Sequence, residues 1–151
     1  MRIQSNGSVS LGAEISTVRS FVLNPEEVFS CIPDASNFAK TGDQKFAVNI
    51  SVGISVVKGT IKMDGAIART GNDEVTYAFQ GRGLGSTVKM SLSIKLSSSG
   101  SSTLIDWKSD AEFTGIISGV SESIIRKVTD EKVSEIISKV KEKIEKGQGQ
   151  V

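Results

Sequence analysis

From Phe46 onward the chain alternates apolar and polar residues with a period of two. Phe46, Val48, Ile50, Val52, Ile54 and Val56 point one way, and Lys45, Asn49, Ser51 and Ser55 the other. This is the signature of a strand with one buried and one wet face. The phase slips at Val56-Val57-Lys58-Gly59, predicting a bulge or turn. A second strand follows with Ile61, Met63, Gly65 and Ile67 inward, and a third, after the Gly71-Asn72-Asp73 turn, with Val75, Tyr77, Phe79, Gly81 and Gly83 inward. Val88, Met90, Leu92, Ile94 and Leu96 mark a fourth, and Ile105, Trp107, Ala111 and Phe113 a fifth. Short turns between one-faced strands predict an antiparallel meander.

The flanks read differently. Ile3, Val9 and Leu11 share a face of a first strand, and residues 14–22 read as a short helix. A second short helix starts with Asn24 as N-cap and Pro25 at its first position, and Cys31-Ile32-Pro33-Asp34 ends it. A short strand around Phe38 leads to the Gly42-Asp43 turn. From about Thr114 to Lys146 the pattern is one long helix. Ile116, Ile117, Val120, Ile124 and Val128 form one stripe, and Val133, Ile137, Val140 and Ile144 a second. The five-residue step from Val128 to Val133 rotates the apolar face by roughly 140°, so the helix either bends there or turns its halves toward different partners.

A one-faced sheet must cover its apolar side, and the C-terminal helix is the element long enough to do so. The expected fold is α+β: a curved antiparallel sheet of six to seven strands gripping a long C-terminal helix, with two short helices after the first strand. One domain spans residues 1–146, with 147–151 as a disordered tail. The inward residues Phe21, Ile50, Met63, Tyr77, Phe79, Met90, Trp107, Ile117, Val120 and Ile124 are expected to line the space between sheet and helix. Inward Gly65, Gly81, Gly83, Ser109 and Ala111 serve either to permit curvature or to leave room for an apolar ligand.

Composition narrows the chemistry. The 151 residues contain no histidine and one cysteine, which removes the commonest general base, an internal disulfide and a Cys-based metal site. Eighteen Lys and Arg against seventeen Asp and Glu argue against a nucleic-acid partner. Met1-Arg2-Ile3-Gln4-Ser5-Asn6 lacks the apolar stretch of a secretory signal, so the cytoplasm is the expected compartment. Gly81-Arg82-Gly83-Leu84-Gly85 lacks a Walker lysine and joins two strands, so it reads as a hairpin that could gate a cavity mouth. Cys31 reads as a small buried residue, and Asp106, Asp110 and Glu112 as a solvated face. Tyr77 and Trp107 each carry a polar tip on the inward phase. That tip either bonds to backbone or meets a ligand. The lysines of the last helix, interleaved with glutamates, form i,i+4 pairs such as Glu135–Lys139 and Glu142–Lys146, and offer at most peripheral contact with an anionic membrane.

The element order resembles the helix-grip fold of START-type (SRPBCC) lipid-binding and polyketide-cyclase proteins. Within it, Asn24-Pro25-Glu26 followed by Cys31-Ile32-Pro33-Asp34, Val52-Gly53-Ile54-Ser55-Val56-Val57-Lys58-Gly59, Gly81-Arg82-Gly83-Leu84-Gly85 and Ser109-Asp110-Ala111-Glu112 resemble the CoxG-like family of carbon monoxide dehydrogenase proteins. The resemblance implies a non-catalytic accessory protein of a molybdenum-containing CO dehydrogenase or related hydroxylase, holding a quinone or lipid and tied to membrane recruitment. Beyond such a guest no cofactor and no metal are expected. Family members often continue into a membrane-binding tail, whereas here Gly147-Gln148-Gly149-Gln150-Val151 follows, which weakens the expectation of direct anchoring. Two alternatives stand beside this one: a recruitment factor whose interior is filled by its own side chains, and a cyclase- or hydratase-like enzyme using Tyr77.

Overall fold

The computed structural model describes residues 1–54 and 56–148. Seven strands, β1 (Arg2–Leu11), β2 (Ala35–Gly42), β3 (Lys45–Ile54), β4 (Val57–Gly71), β5 (Glu74–Gly83), β6 (Ser86–Ser99) and β7 (Ser102–Gly115), form one antiparallel sheet in the order β1-β7-β6-β5-β4-β3-β2. Strands β2 to β7 pair with their chain neighbours, as period-two segments joined by short turns must. β1 closes on β7, with Gly7 opposite Trp107. Helices α1 (Ile15–Val22) and α2 (Pro25–Phe29) follow β1, and α3 (Glu122–Gln148) ends the described chain. The rest of the expected tail, residues 149–151, lies outside the described residues.

Local chemistry explains the joints. Asn24 Oδ1 accepts from the Glu27 amide, with Pro25 at the first helical position, so α2 starts where its capping residues demand. The β5–β6 hairpin turns through Leu84 and Gly85, both at positive φ (57° and 66°), the mirror-image turn whose twist suits a two-residue hairpin. Gly115 leaves the sheet at φ 87°, and a β-carbon there would strike the Gly85 carbonyl oxygen, so no other residue fits this exit.

Two expectations are corrected here. Residues 114–121 are not helical: β7 runs to Gly115, a single 3₁₀ turn occupies Ile116–Gly119, and α3 begins only at Glu122. That turn resets the helical phase, so counting in fours from Val120 places Ile124 inward. The residue that packs is instead Ile125, 1% exposed, while Ile124 is 44% exposed. Val56, read as inward, sits in the β3–β4 turn at 89% exposure, because the alternation ends with the strand at Ile54.

The core falls into two clusters. The larger joins α1 and α2 to the inner face through Val18, Phe21, Phe29, Phe46, Val48, Tyr77 and Phe79, and takes in Ile144 of α3. The smaller gathers Ile3, Ile117 and Ile125, with Ile54, Phe113 and Val120 partly buried against it. The two halves of α3 thus serve different clusters, Ile125 in one and Val140 and Ile144 in the other.

Candidate functional site

Helix α3 lies across the concave face like a beam supported at both edges of the sheet. Its closest main-chain approaches are to β1, β3 and α1. The polar ties have the same distribution. Arg126 donates to the Gln4 carbonyl on β1 (3.3 Å), and Glu145 accepts from the Gly12 amide (2.9 Å). On the other side Lys132 pairs with Asp34 (2.8 Å), and Lys143 with Glu27 (3.3 Å) while donating to Ser30. Asp34 raises the Lys132 ammonium above its ordinary pKa by hydrogen bonding. These exposed pairs hold the helix in place more through geometry than through strength.

Beneath the beam the inner face divides into three zones. At the α1–α2 end, Phe29, Phe38, Phe46, Tyr77 and Phe79 interlock with ring centroids 5.1–6.1 Å apart, closing the interior with the protein's own side chains. At the other end the smaller cluster closes it again. Between them Ile50, Met63, Met90, Leu92 and Trp107 are only partly buried, although all lie on the apolar face.

The expected lining residues distribute among these zones. Phe21, Tyr77 and Phe79 are buried in the larger cluster, and Ile50, Met63, Met90 and Trp107 border it. Ile117 and Val120 belong to the smaller cluster, and Ile124 lines nothing, as its exposure shows. Phe46, absent from the expected lining, is the hub of the aromatic cluster. It sits on the same inward phase, which was its one signal in the sequence, and its ring occupies the space of the side chain that Gly65, its partner across β3 and β4, lacks. Met63 fills the space over Gly81 in the same way. These two glycines therefore serve close packing and leave no room of their own.

The two polar tips part company. Tyr77, 1% exposed, donates from its hydroxyl to the Val22 carbonyl at 2.7 Å. Burial pushes its pKa well above the ordinary phenol value. Trp107 lies flat over Gly7, where a β-carbon would stand 2.7 Å from the indole Cζ2, and its buried Nε1–H has no hydrogen-bond partner among the described residues. An orphaned buried donor costs about 1–3 kcal/mol. Cys31 is 2% exposed, and burial raises its thiol pKa.

The outer face is chemically distinct. Asp64, Gln80, Lys89, Ser91 and Asp110 help to line an open groove of about 800 Å³ on the side away from α3. Arg2, 2.5 Å from Asp110, and Gln4 hold that carboxyl down to about 2. Phe79 and Met90 also border the groove, although both pack with the inner-face cluster. Lys89 and the Arg2–Asp110 pair set charged groups in its walls. Among the described residues no group of three or more Asp, Glu or Cys is placed to hold a metal ion, and no helix is long and apolar enough to cross a membrane.

Comparisons with known proteins agree with this geometry. A conserved protein from Geobacillus kaustophilus superposes with a TM-score of 0.86 at 20% identity, over 95% of this chain and 96% of that one. A START superfamily protein from Mycobacterium smegmatis gives 0.77 at 14% identity, over 95% and 97%. The Zhui aromatase/cyclase from Streptomyces sp. R1128 gives 0.69 at 11% identity, over 96% and 94%. Likeness at these identities is likeness of fold, here the START-like helix-grip fold. A search of curated protein sequences returned no match. The model of the carbon monoxide dehydrogenase CoxG family matches residues 7–145, nearly the whole of the sheet and of α3, and the chain belongs to that family.

Proposed function

We propose that this chain binds a hydrophobic small molecule, a quinone or lipid, between the middle of the sheet and α3, and does not transform it. The observation that carries the reading is the unfinished burial of Ile50, Met63, Met90 and Trp107 on the apolar face, under a helix whose polar ties run to β1 on one side and to α2 and the start of β2 on the other. A guest seated there removes apolar surface from water at about 25 cal/mol per Å². It also offers the Trp107 indole an acceptor if it carries a carbonyl oxygen. Against catalysis stands the Tyr77 hydroxyl, already committed to Val22. Family membership supports an accessory role beside a molybdenum-containing dehydrogenase, in the cytoplasm at the inner face of the membrane.

The test is native mass spectrometry of gently purified protein, with solvent extraction, followed by titration of short-chain quinones and lipids against Trp107 emission. The chain has one tryptophan, so a bound quinone quenches a single reporter. Emission and melting temperature that ignore every quinone and lipid tried would overturn the reading. The packing of Phe46 over Gly65 and Met63 over Gly81 favours one alternative, a self-filled interior in a recruitment factor. That alternative predicts no ligand-dependent shift and co-purification with a larger oxidoreductase.

A further inference from the structure

Helix α3 turns one stripe toward the sheet: Ile125, Thr129, Val133, Ile136, Val140 and Ile144, at helical spacing. Its two ends are packed. Ile125 is buried in the smaller cluster, and Val140 and Ile144 join the larger. Thr129, Val133 and Ile136 in the middle are half-buried and belong to neither.

Two ties set what lies under that stretch. Arg126 donates to the Gln4 carbonyl and Glu145 accepts from the Gly12 amide, so α3 runs along β1 in the same direction. The helical steps between these ties cover about 28 Å and the strand steps about 27 Å, so the two elements keep level. Thr129 accordingly stands level with Ser5. Ser5 shares the inward phase of Ile3 and Gly7, and its partner across the ladder is Ser109, on the inward phase of Trp107 and Ala111. Ser5, Ser109 and Thr129 are all half-buried. Other hydroxyls on these strands are engaged, Ser8 with Asp106 and Thr103 with the Ala13 carbonyl. Those of Ser5, Ser109 and Thr129 take no partner among the described residues, and the orphaned indole Nε1–H of Trp107 lies two residues along β7 from Ser109. Polar groups without partners thus gather on one part of an otherwise apolar face.

Charge is missing from that part. The inward positions of β1 and β7 carry no charged residue. Arg126 and Lys132 of α3, whose side chains reach the sheet edges, are paired with Glu122 and Asp34. Arg69, a cation on the inward phase of β4, stands at the far end of its strand and donates to the Gly71 and Asn72 carbonyls.

We infer that Ser5, Ser109 and Thr129 hold the head of the guest, that this head is uncharged and bears oxygen, and that the apolar body extends from it over Leu92 and Met90. Leu92 stands beside Ser109 in the ladder, and Met90 beside Ala111. Hydroxyls both donate and accept, which suits a quinone, a quinol or an alcohol. A carboxylate or phosphate would lose its water there and meet no counter-charge, so fatty acids and phospholipids are refused. The inference rests on the guest reading and narrows it to uncharged amphiphiles.

The experiment titrates decylubiquinone against Trp107 emission, with 1-decanol and decanoate at pH 8 as competitors of equal chain length. Decanol displaces the quinone and decanoate does not, a comparison that needs no variant. Quinone affinity falls about fivefold in Ser109→Ala and in Thr129→Val, and on the order of 25-fold in the double variant, the net strength of one hydrogen bond each. Thr129→Ser keeps the parent affinity, as does Ser91→Ala on the outer face. Decanoate competing as well as decanol overturns this inference and leaves the guest reading standing. So does a quinone affinity indifferent to both hydroxyls in folded variants. Absence of binding by all three probes overturns both.

Discussion

Tyr77→Phe isolates one atom whose role separates structure from ligand chemistry. The ring is 1% exposed, and its hydroxyl donates at 2.7 Å to the Val22 carbonyl. That carbonyl closes the last turn of α1, where the helix has no amide left to give it. Removing the hydroxyl keeps the ring packed against Phe46 and Phe79 but orphans the carbonyl. The loss is that of a buried bond plus an unsatisfied acceptor, about 1–3 kcal/mol. For a chain of this length each kcal/mol moves the melting temperature by about 2–4 °C, so a fall of roughly 2–12 °C is expected. Thermal melts followed by circular dichroism, with urea denaturation for the free energy, measure it. Quinone or lipid affinity of the folded variant stays unchanged. An unaltered melting temperature together with weakened binding would refute the reasoning, because the hydroxyl would then be serving a guest and not α1.

Gly7→Ala forces a methyl against the Trp107 indole. Overpacking of about 1–3 kcal/mol and a change in tryptophan emission are expected, and neither would appear if the indole did not lie on β1. Trp107→Phe deletes an orphaned donor along with some packing. The two changes offset, and stability without guest should stay within about 1 kcal/mol while quinone affinity falls. Asp110 is held at about 2 by Arg2 and Gln4, below its unfolded value of about 3.9. Its contribution is therefore present above pH ~4 and lost as pH falls toward 2. Acid titration of Asp110→Asn beside the parent should show the two stability curves converging across that window. Iodoacetamide should modify Cys31 far more slowly in the native protein than in urea, since the thiol is buried and its pKa raised; equal rates would place it at the surface.

The strands were legible because each buries one face, so every inward residue from Phe46 to Phe113 reports its phase independently. The errors cluster where local geometry replaces periodicity. Val56 continues an alternation that the turn has already ended, and Ile124 continues a helical count that the 3₁₀ turn at 116–119 has reset by one residue. The candidate site was legible as a face but not as a volume. Nothing in the positions of Gly65 and Gly81 reveals that Phe46 and Met63 reach across to fill them. Likewise, the opposite fates of the Tyr77 and Trp107 tips depend on which backbone carbonyl α1 leaves nearby. The edge supports of α3 were hidden as well, since Lys132–Asp34 and Lys143–Glu27 join residues about a hundred positions apart.

The pairing of β1 with β7 has a consequence for biogenesis. Every other strand finds its partner in the segment just synthesised, but β1 must wait about a hundred residues for β7. At about 5–20 residues per second, the first strand leaves the ribosome roughly 5–20 s before its mate. A strongly apolar ribbon would aggregate in that interval. β1 reads Arg-Ile-Gln-Ser-Asn-Gly-Ser-Val-Ser-Leu, with three large apolar residues among serines, asparagine and glycine. The strand that waits longest is thus one that water tolerates. Its late capture by β7 completes the β1 edge on which α3 comes to rest, so the covered concave face is assembled last.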